Sequence, residues 1–222
     1  MKRAVCLVSG GMDSYVAARI AQEAGYGLFL LTFNYSQKNA RETECANKIS
    51  EKLGAKEHRI IRLDLSWMPS SLTSEDMEIP RRQDPGIPST YVPARNTIFI
   101  SIALGYAEAL NACAIYTGVN AVDFSGYPDC RPEYLERFQR LIDVATRETL
   151  SGGRIKLEAP LLNLSKSGII EKGASLGVDF SCTWSCYVGG ERPCGDCASC
   201  RLRSAGFRDA GIADPCSGQD WK

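Results

Sequence analysis

The chain has 222 residues, 44% of them hydrophobic and 23% charged, enough to bury one sizeable core with a small appended subdomain. Its 26 Lys and Arg balance 26 Asp and Glu without forming the basic stripe that neutralises many phosphates, so direct binding of nucleic acid is not expected. No run approaches the ~20 apolar residues that span a bilayer, and Met1-Lys2-Arg3-Ala4-Val5-Cys6 opens as a strand rather than a signal peptide, so no membrane and a cytoplasmic compartment are expected.

Apolar, β-rich runs predict strands at 4–8, 27–33, 59–65, 114–118 and 155–159. Between them, helical spacing of apolar residues predicts helices at 13–24 and 41–53, stopped by Gly25 and Gly54, a more apolar helix at 96–110, and an amphipathic one at 133–150. This alternation argues for an α/β fold: a mainly parallel, five-stranded sheet with helices on both faces and ligands at the carboxyl ends of the strands. Residues 66–93 carry five prolines and few apolar runs, and read as a lid-like excursion from an α/β domain spanning 1–176. Beyond about Gly177, Cys, Gly and Arg displace the apolar pattern, marking a metal-organised subdomain over 177–222.

The first strand runs into Val8-Ser9-Gly10-Gly11-Met12-Asp13-Ser14 and then a helix. Glycine lets backbone approach an anion closely, and N–H groups at the helix start, with the hydroxyls of Ser9 and Ser14, form a cradle for phosphate. Asp13 would then face a magnesium ion bridging phosphates. A tight turn with a Ser or Asp cap would use the same residue types without any ligand.

Ten cysteines in a chain of this length suggest metal rather than a disulfide scaffold, since five fall between Cys182 and Cys200. Cys194, Cys197 and Cys200 stand at C-x-x-C-x-x-C spacing, with Cys186 or Cys182 as the fourth thiolate of a closed site. Spacing alone accommodates zinc or an iron–sulfur cluster. Cys6, Cys45 and Cys113 lie among aliphatic residues and read as small core residues, and His58, the sole histidine, as structural. Residues 119–131 combine Phe124 and Tyr127 with Asp123, Asp129 and Arg131: aromatic faces to stack on a flat heterocycle, carboxylates to accept its N–H groups, and a guanidinium to hold a carboxylate substituent.

The hexapeptide Ser9-Gly10-Gly11-Met12-Asp13-Ser14 resembles the SGGxDS signature of the PP-loop, or N-type ATP pyrophosphatase, superfamily, and differs in kind from Walker A. Four further segments are similar to one family within it, the 7-cyano-7-deazaguanine synthases of queuosine-precursor biosynthesis. They are Phe33-Asn34-Tyr35-Ser36-Gln37, Tyr91-Val92-Pro93-Ala94-Arg95-Asn96, the run from Gly118 through Arg131, and the cysteine cluster. Ser36 and Lys38-Asn39 depart from the Gly and Arg-His expected beside Gln37.

The resemblance implies a Rossmann-like, adenine nucleotide alpha hydrolase-like sheet. It also implies an ATP-dependent conversion of 7-carboxy-7-deazaguanine and ammonia into a nitrile, a structural zinc, and a homodimer. ATP would sit on the segment from Val8 to Ser14, and Cys186 becomes the fourth zinc ligand through the segment Trp184-Ser185-Cys186-Tyr187. Lys166, in a PL…SK segment, would stabilise departing pyrophosphate, with Asp13 on the metal and Arg95 on a phosphate or substrate oxygen. Asn96, Asp123, Phe124, Tyr127, Asp129 and Arg131 would line the deazapurine pocket. The rivals are a PP-loop tRNA thiolase, whose substrate would demand a basic surface, and a zinc-ribbon interaction module on an idle α/β domain.

Overall fold

The computed structural model describes residues 1–37, 41–74, 76–81, 86–121 and 126–216. Five parallel strands, β1 (Arg3–Leu7), β2 (Gly27–Asn34), β3 (Glu57–Arg62), β4 (Ala114–Tyr116) and β5 (Lys156–Glu158), form one sheet in the order β3-β2-β1-β4-β5. In a sheet covered on both sides, alternate residues of one strand enter different cores. Ala4 and Cys6 of β1, Leu28 and Leu30 of β2, and Ala114 and Tyr116 of β4 face one layer, and Val5, Leu31, Phe33 and Ile115 face the other.

The first layer is closed by α1 (Met12–Glu23), α2 (Arg41–Leu53), α6 (Lys166–Ser175) and α7 (Ala198–Asp209), which contribute Val16, Ile49, Ile170 and Phe207. The second is closed by α3 (Arg95–Ala109) and α4 (Pro132–Ala145), through Ile100, Leu104, Phe138 and Ile142. Among the described residues no helix is long and apolar enough to cross a membrane.

Strand order explains where a site can form. From β1 the chain moves outward through β2 and β3, then returns to the other side of β1 to lay down β4 and β5. Connections leaving the carboxyl ends of β1 and β4 therefore diverge, and the crevice between them is the topological switch point.

Several boundaries differ from the sequence reading, three of them with a visible cause. The helix expected over 133–150 breaks at Thr146, whose φ of −125° and ψ of 154° are extended. Its side chain accepts from the Thr149 N–H at 3.2 Å and starts a second short helix, α5 (Arg147–Leu150). This local cap competes with helix continuation. β3 begins at Glu57 and stops at Arg62 because Arg62 lies opposite Asn34, the last residue of its one partner strand. α3 starts at Arg95 rather than 96 and ends at Ala109 rather than 110; its cap is Ala94, in the left-handed region at φ +51°, so Asn96 lies inside the first turn.

The described part of the 66–93 excursion contains neither helix nor strand. It is nonetheless anchored, with Met68 and Leu72 buried in the second core and Ser71 N–H donating to the Ser89 carbonyl at 2.8 Å.

Candidate active site

The loop after β1 is shaped by its own hydroxyls. Ser9 N–H donates to Ser14 Oγ at 3.1 Å, Ser14 Oγ donates to the Gly11 carbonyl at 2.9 Å, and Gly11 N–H donates to Ser9 Oγ at 3.3 Å. No side chain caps α1: its cap residue is Gly11, so the helix start keeps unshielded N–H groups. Gly10 holds φ +93°, and a Cβ there would stand 2.1 Å from the Glu42 carbonyl oxygen, so the loop lies flat against the start of α2. Gly118, after β4, has the same necessity, since its Cβ would meet Ser14 N at 2.8 Å. Both connections of the switch point are thus pressed together at main-chain distance.

Above this floor opens a cavity of about 270 Å³, lined on one side by Val8, Ser9, Gly11, Met12, Asp13 and Ser14. Lys166 reaches it from the first residue of α6, capped by Ser165 Oγ, which accepts from Gly168 N–H at 3.2 Å. Lys166 Nζ lies 2.8 Å from Asp13 Oδ2, which also accepts from Asn120 Nδ2 at 3.3 Å. Asp13 Oδ1 is buried with no hydrogen-bond partner among the described residues. A buried carboxylate oxygen left unmatched is costly, and a hard cation with oxygen ligands fits it.

The opposite wall brings together Tyr35, Arg95, Asn96, Tyr127 and Cys130. Arg95 donates to Tyr35 Oη at 3.2 Å and lies 5.6 Å from that ring's centre. Burial works against its charge, but the Tyr35 and Tyr127 phenols and the Asp129 carboxylate outweigh it and hold the guanidinium above its ordinary range. Tyr127 Oη is 2.8 Å from Thr90 Oγ1. Asn96 turns Nδ2 to Cys130 Sγ at 3.0 Å, while its N–H donates to Asp129 Oδ2 at 2.9 Å. Asp129 therefore serves the first turn of α3 rather than lining the cavity. Arg131 is not brought to the cavity either; it is exposed and donates to the Pro128 carbonyl at 3.3 Å. Asp123 and Phe124 lie outside the described residues.

Sequence reading passed over the carboxylate partner Asn120, polar yet fully buried in the structure, and several cavity groups. Tyr35, Gln37 and Glu42 are among these, and nothing in the local patterns of Tyr35 and Glu42 distinguishes them from a core tyrosine and a helix-start acid.

The tail lies beside the cavity. Cys186, Cys194, Cys197 and Cys200 place their four sulfurs within 4.8 Å of one another, matching tetrahedral edges of about 3.8 Å for ~2.3 Å metal–sulfur bonds. Cys182, the rival fourth thiol, is elsewhere, in the first core and 3.5 Å from Asp179 Oδ2. Cys6 and Cys45 are buried, whereas Cys113 is half-buried at the sheet end. Trp184 links cluster and loop: its N–H donates to the Gly10 carbonyl at 2.9 Å and its indole N–H to the Cys186 carbonyl at 2.8 Å. Arg203, in α7, makes a buried two-point pair with Asp214 at 2.9 Å and also donates to Thr183 Oγ1 at 2.7 Å.

His58 Nε2 lies 2.8 Å from Thr32 Oγ1, which donates to the Val8 carbonyl at 2.6 Å. Burial lowers its pKa, so the ring supports β1 and β2 as a neutral partner.

The family described as Queuosine biosynthesis protein QueC matches residues 3–211. Over 218 residues the chain is 51% identical to a 7-cyano-7-deazaguanine synthase of Saccharophagus degradans, covering 96% of each. Over 217 residues it is 48% identical to that of Stutzerimonas stutzeri, covering 96% of this chain and 97% of the relative. A 4-thiouridine synthetase solved with RNA and bound ATP shares the fold at a TM-score of 0.50 and 20% identity, over 95% of this chain and 50% of that one. The sheet order, the loop at its switch point and this match across nearly the whole sequence agree: the chain belongs to the QueC family of queuosine biosynthesis proteins.

Proposed function

We propose that the chain is an ATP-dependent carbon–nitrogen ligase that converts 7-carboxy-7-deazaguanine and ammonia into 7-cyano-7-deazaguanine. The observation that carries this reading is one cavity with the Ser9–Ser14 loop, Asp13 and Lys166 on one wall and Arg95, Asn96 and Tyr127 on the other. A carboxylate cannot lose oxide to ammonia without activation. With the pyrophosphate end of ATP on the loop N–H groups, a substrate carboxylate oxygen attacks the α-phosphorus and pyrophosphate leaves toward Lys166. Ammonia attacks the acyl carbon, AMP departs and a proton is lost, giving the amide. A second adenylation at the amide oxygen, then loss of AMP and both N–H protons, yields the nitrile, so both carboxylate oxygens leave on AMP.

Asp13 fits a magnesium ion through its unmatched oxygen, and that ion would neutralise charge on the phosphates. Arg95 and Tyr127 fit the substrate's carboxylate and ring face. Zinc suits the four thiolates, and a closed site has no open position for water, so its role is structural. Balanced net charge supports a small-molecule enzyme that does not itself touch nucleic acid; a cytoplasmic location and a homodimer complete the proposal by resemblance to the family. Incubation with ATP, ammonium and 7-carboxy-7-deazaguanine, followed by mass spectrometry, should show nitrile, AMP and pyrophosphate. Absence of both nitrile and AMP would refute the reading.

A further inference from the structure

We infer that Glu42 is the proton acceptor for the incoming nitrogen: its carboxylate receives an ammonium ion in the cavity and deprotonates it beside the activated acyl carbon. The inference rests on the ligase reading above and adds a residue to it.

Two carboxylates line the cavity among the described residues, Asp13 and Glu42. Asp13 is committed to Lys166 at 2.8 Å. Glu42 forms no ion pair within 4.0 Å among those residues, and its Oε2 accepts from Gln37 Nε2 at 3.4 Å. Gln37 is fixed by its other end, since its Oε1 accepts from Tyr35 N–H at 2.8 Å. The amide nitrogen is thereby turned toward the carboxylate, which is held in place without being neutralised.

The position suits the task. Glu42's main chain touches the nucleotide loop at Gly10, and its carboxylate is close enough to Arg95 and Tyr35 to interact with both. The side chain thus starts between the loop that would hold the phosphates and the wall that would hold the acid. Burial pushes the Glu42 carboxyl up to about 7, with Arg95 and then Gln37 pulling it partly back. The charged and titratable groups facing it are Arg95 from α3 and Tyr35 from the end of β2; Arg41, its neighbour, turns to the Trp184 ring at 5.4 Å.

The chemistry balances. Ammonium has no lone pair and cannot attack. Transfer of one proton to Glu42 gives ammonia and a neutral carboxyl group; the freed pair forms the carbon–nitrogen bond as the carbon–oxygen bond to AMP breaks, and the second proton, lost from the new amide nitrogen, passes to the departing AMP phosphate. The same carboxylate, restored by loss of its proton to solvent, can take one of the two N–H protons when the adenylated amide collapses to the nitrile. A base acting near its own pKa contributes about 10²–10⁴-fold.

Glu42→Gln keeps shape and Gln37's neighbour but removes the base. Two rates separate the possibilities: carboxylate-dependent exchange of pyrophosphate with ATP, which requires no nitrogen, and nitrile formation from ammonium. We expect nitrogen transfer near pH 7 to fall about 100-fold or more relative to exchange. Wild-type nitrogen transfer should rise through about pH 7 and level off. The variant's rate should climb with free ammonia, about tenfold per pH unit below the pKa of ammonium, and Glu42→Asp should recover part of the loss.

A fall in exchange equal to the fall in nitrogen transfer, with a raised KM for the carboxylate, would assign Glu42 to deazapurine binding and overturn the inference. Unchanged nitrogen transfer would overturn it as well. Failure of the wild-type protein to form nitrile at all would instead remove the ligase reading, and this inference with it.

Discussion

Replacing Gly10 with alanine tests whether main-chain contact sets the shape of the nucleotide loop. An L residue held at the +93° φ of Gly10 loses ~1–2 kcal/mol. The added Cβ would also sit 2.1 Å from the Glu42 carbonyl oxygen, 0.9 Å short of the 3.0 Å that real Cβ contacts respect. The obstacle is main chain at the start of α2, so the loop must retreat, at ~1–3 kcal/mol. Together these give about 3 kcal/mol, a fall of roughly 6–12 °C in Tm for a chain of this size. A shift near 1 Å in a reacting geometry costs on the order of 100-fold in rate. Gly25→Ala is the matched control: φ is +83° and nothing lies within 4 Å, so it should lose only the backbone part, roughly 2–8 °C, and keep its rate. Thermal unfolding and carboxylate-dependent ATP–pyrophosphate exchange read both effects. If Gly10→Ala exchanges within threefold of Gly25→Ala, packing against Glu42 does not position the loop.

Lys166→Met should lower exchange by about 100-fold or more, by removing charge from the departing pyrophosphate. Asp214→Asn breaks a buried pair whose two side chains are 7% and 8% exposed, and should cost about 3–5 kcal/mol, seen as a Tm loss of roughly 6–20 °C. Chelation, or Cys200→Ser, should release the bound metal by mass spectrometry and lower exchange in step, because Trp184 joins cluster and loop. Glu42→Gln should also act on stability. A carboxyl raised to about 7 favours the fold below its unfolded pKa of 4.5 and loses that contribution as pH rises through 7. The variant should therefore melt a few degrees above wild type at pH 8 and level with it at pH 4, and a wild type more stable at pH 8 would contradict the shift.

How much was legible varied with how local the signal was. The stripe Cys45, Ala46, Ile49 and Leu53 followed by Gly54 at φ +57° fixed both ends of α2 correctly, because period and stop signal lie in one short stretch. Thr146 carried no glycine or proline, so the break in the helix before it depended on a Thr–Thr cap that sequence pattern did not single out. The four-cysteine site was readable from spacing, except that choosing Cys186 over Cys182 needed more than spacing. Glu42 was invisible for a physical reason. An acid in a helix's first turn is expected from the helix dipole alone, and only contact with Gly10, 32 positions earlier, makes it part of a cavity. Arg131 shows the converse, since a cation beside candidate substrate residues turned outward to a nearby carbonyl.

The bond from Trp184 to Gly10 has a consequence for the order in which this protein becomes active. The loop is translated well before its partner, since one of its carbonyls waits for a donor some 170 positions later, beside a cysteine of the four-thiol group. A nascent or metal-starved chain would then be expected to pair its strands while leaving the loop without this contact. A metal held by the four thiolates would thus act as a completion check, coupling catalytic competence to synthesis of the tail and to the cell's supply of the ion.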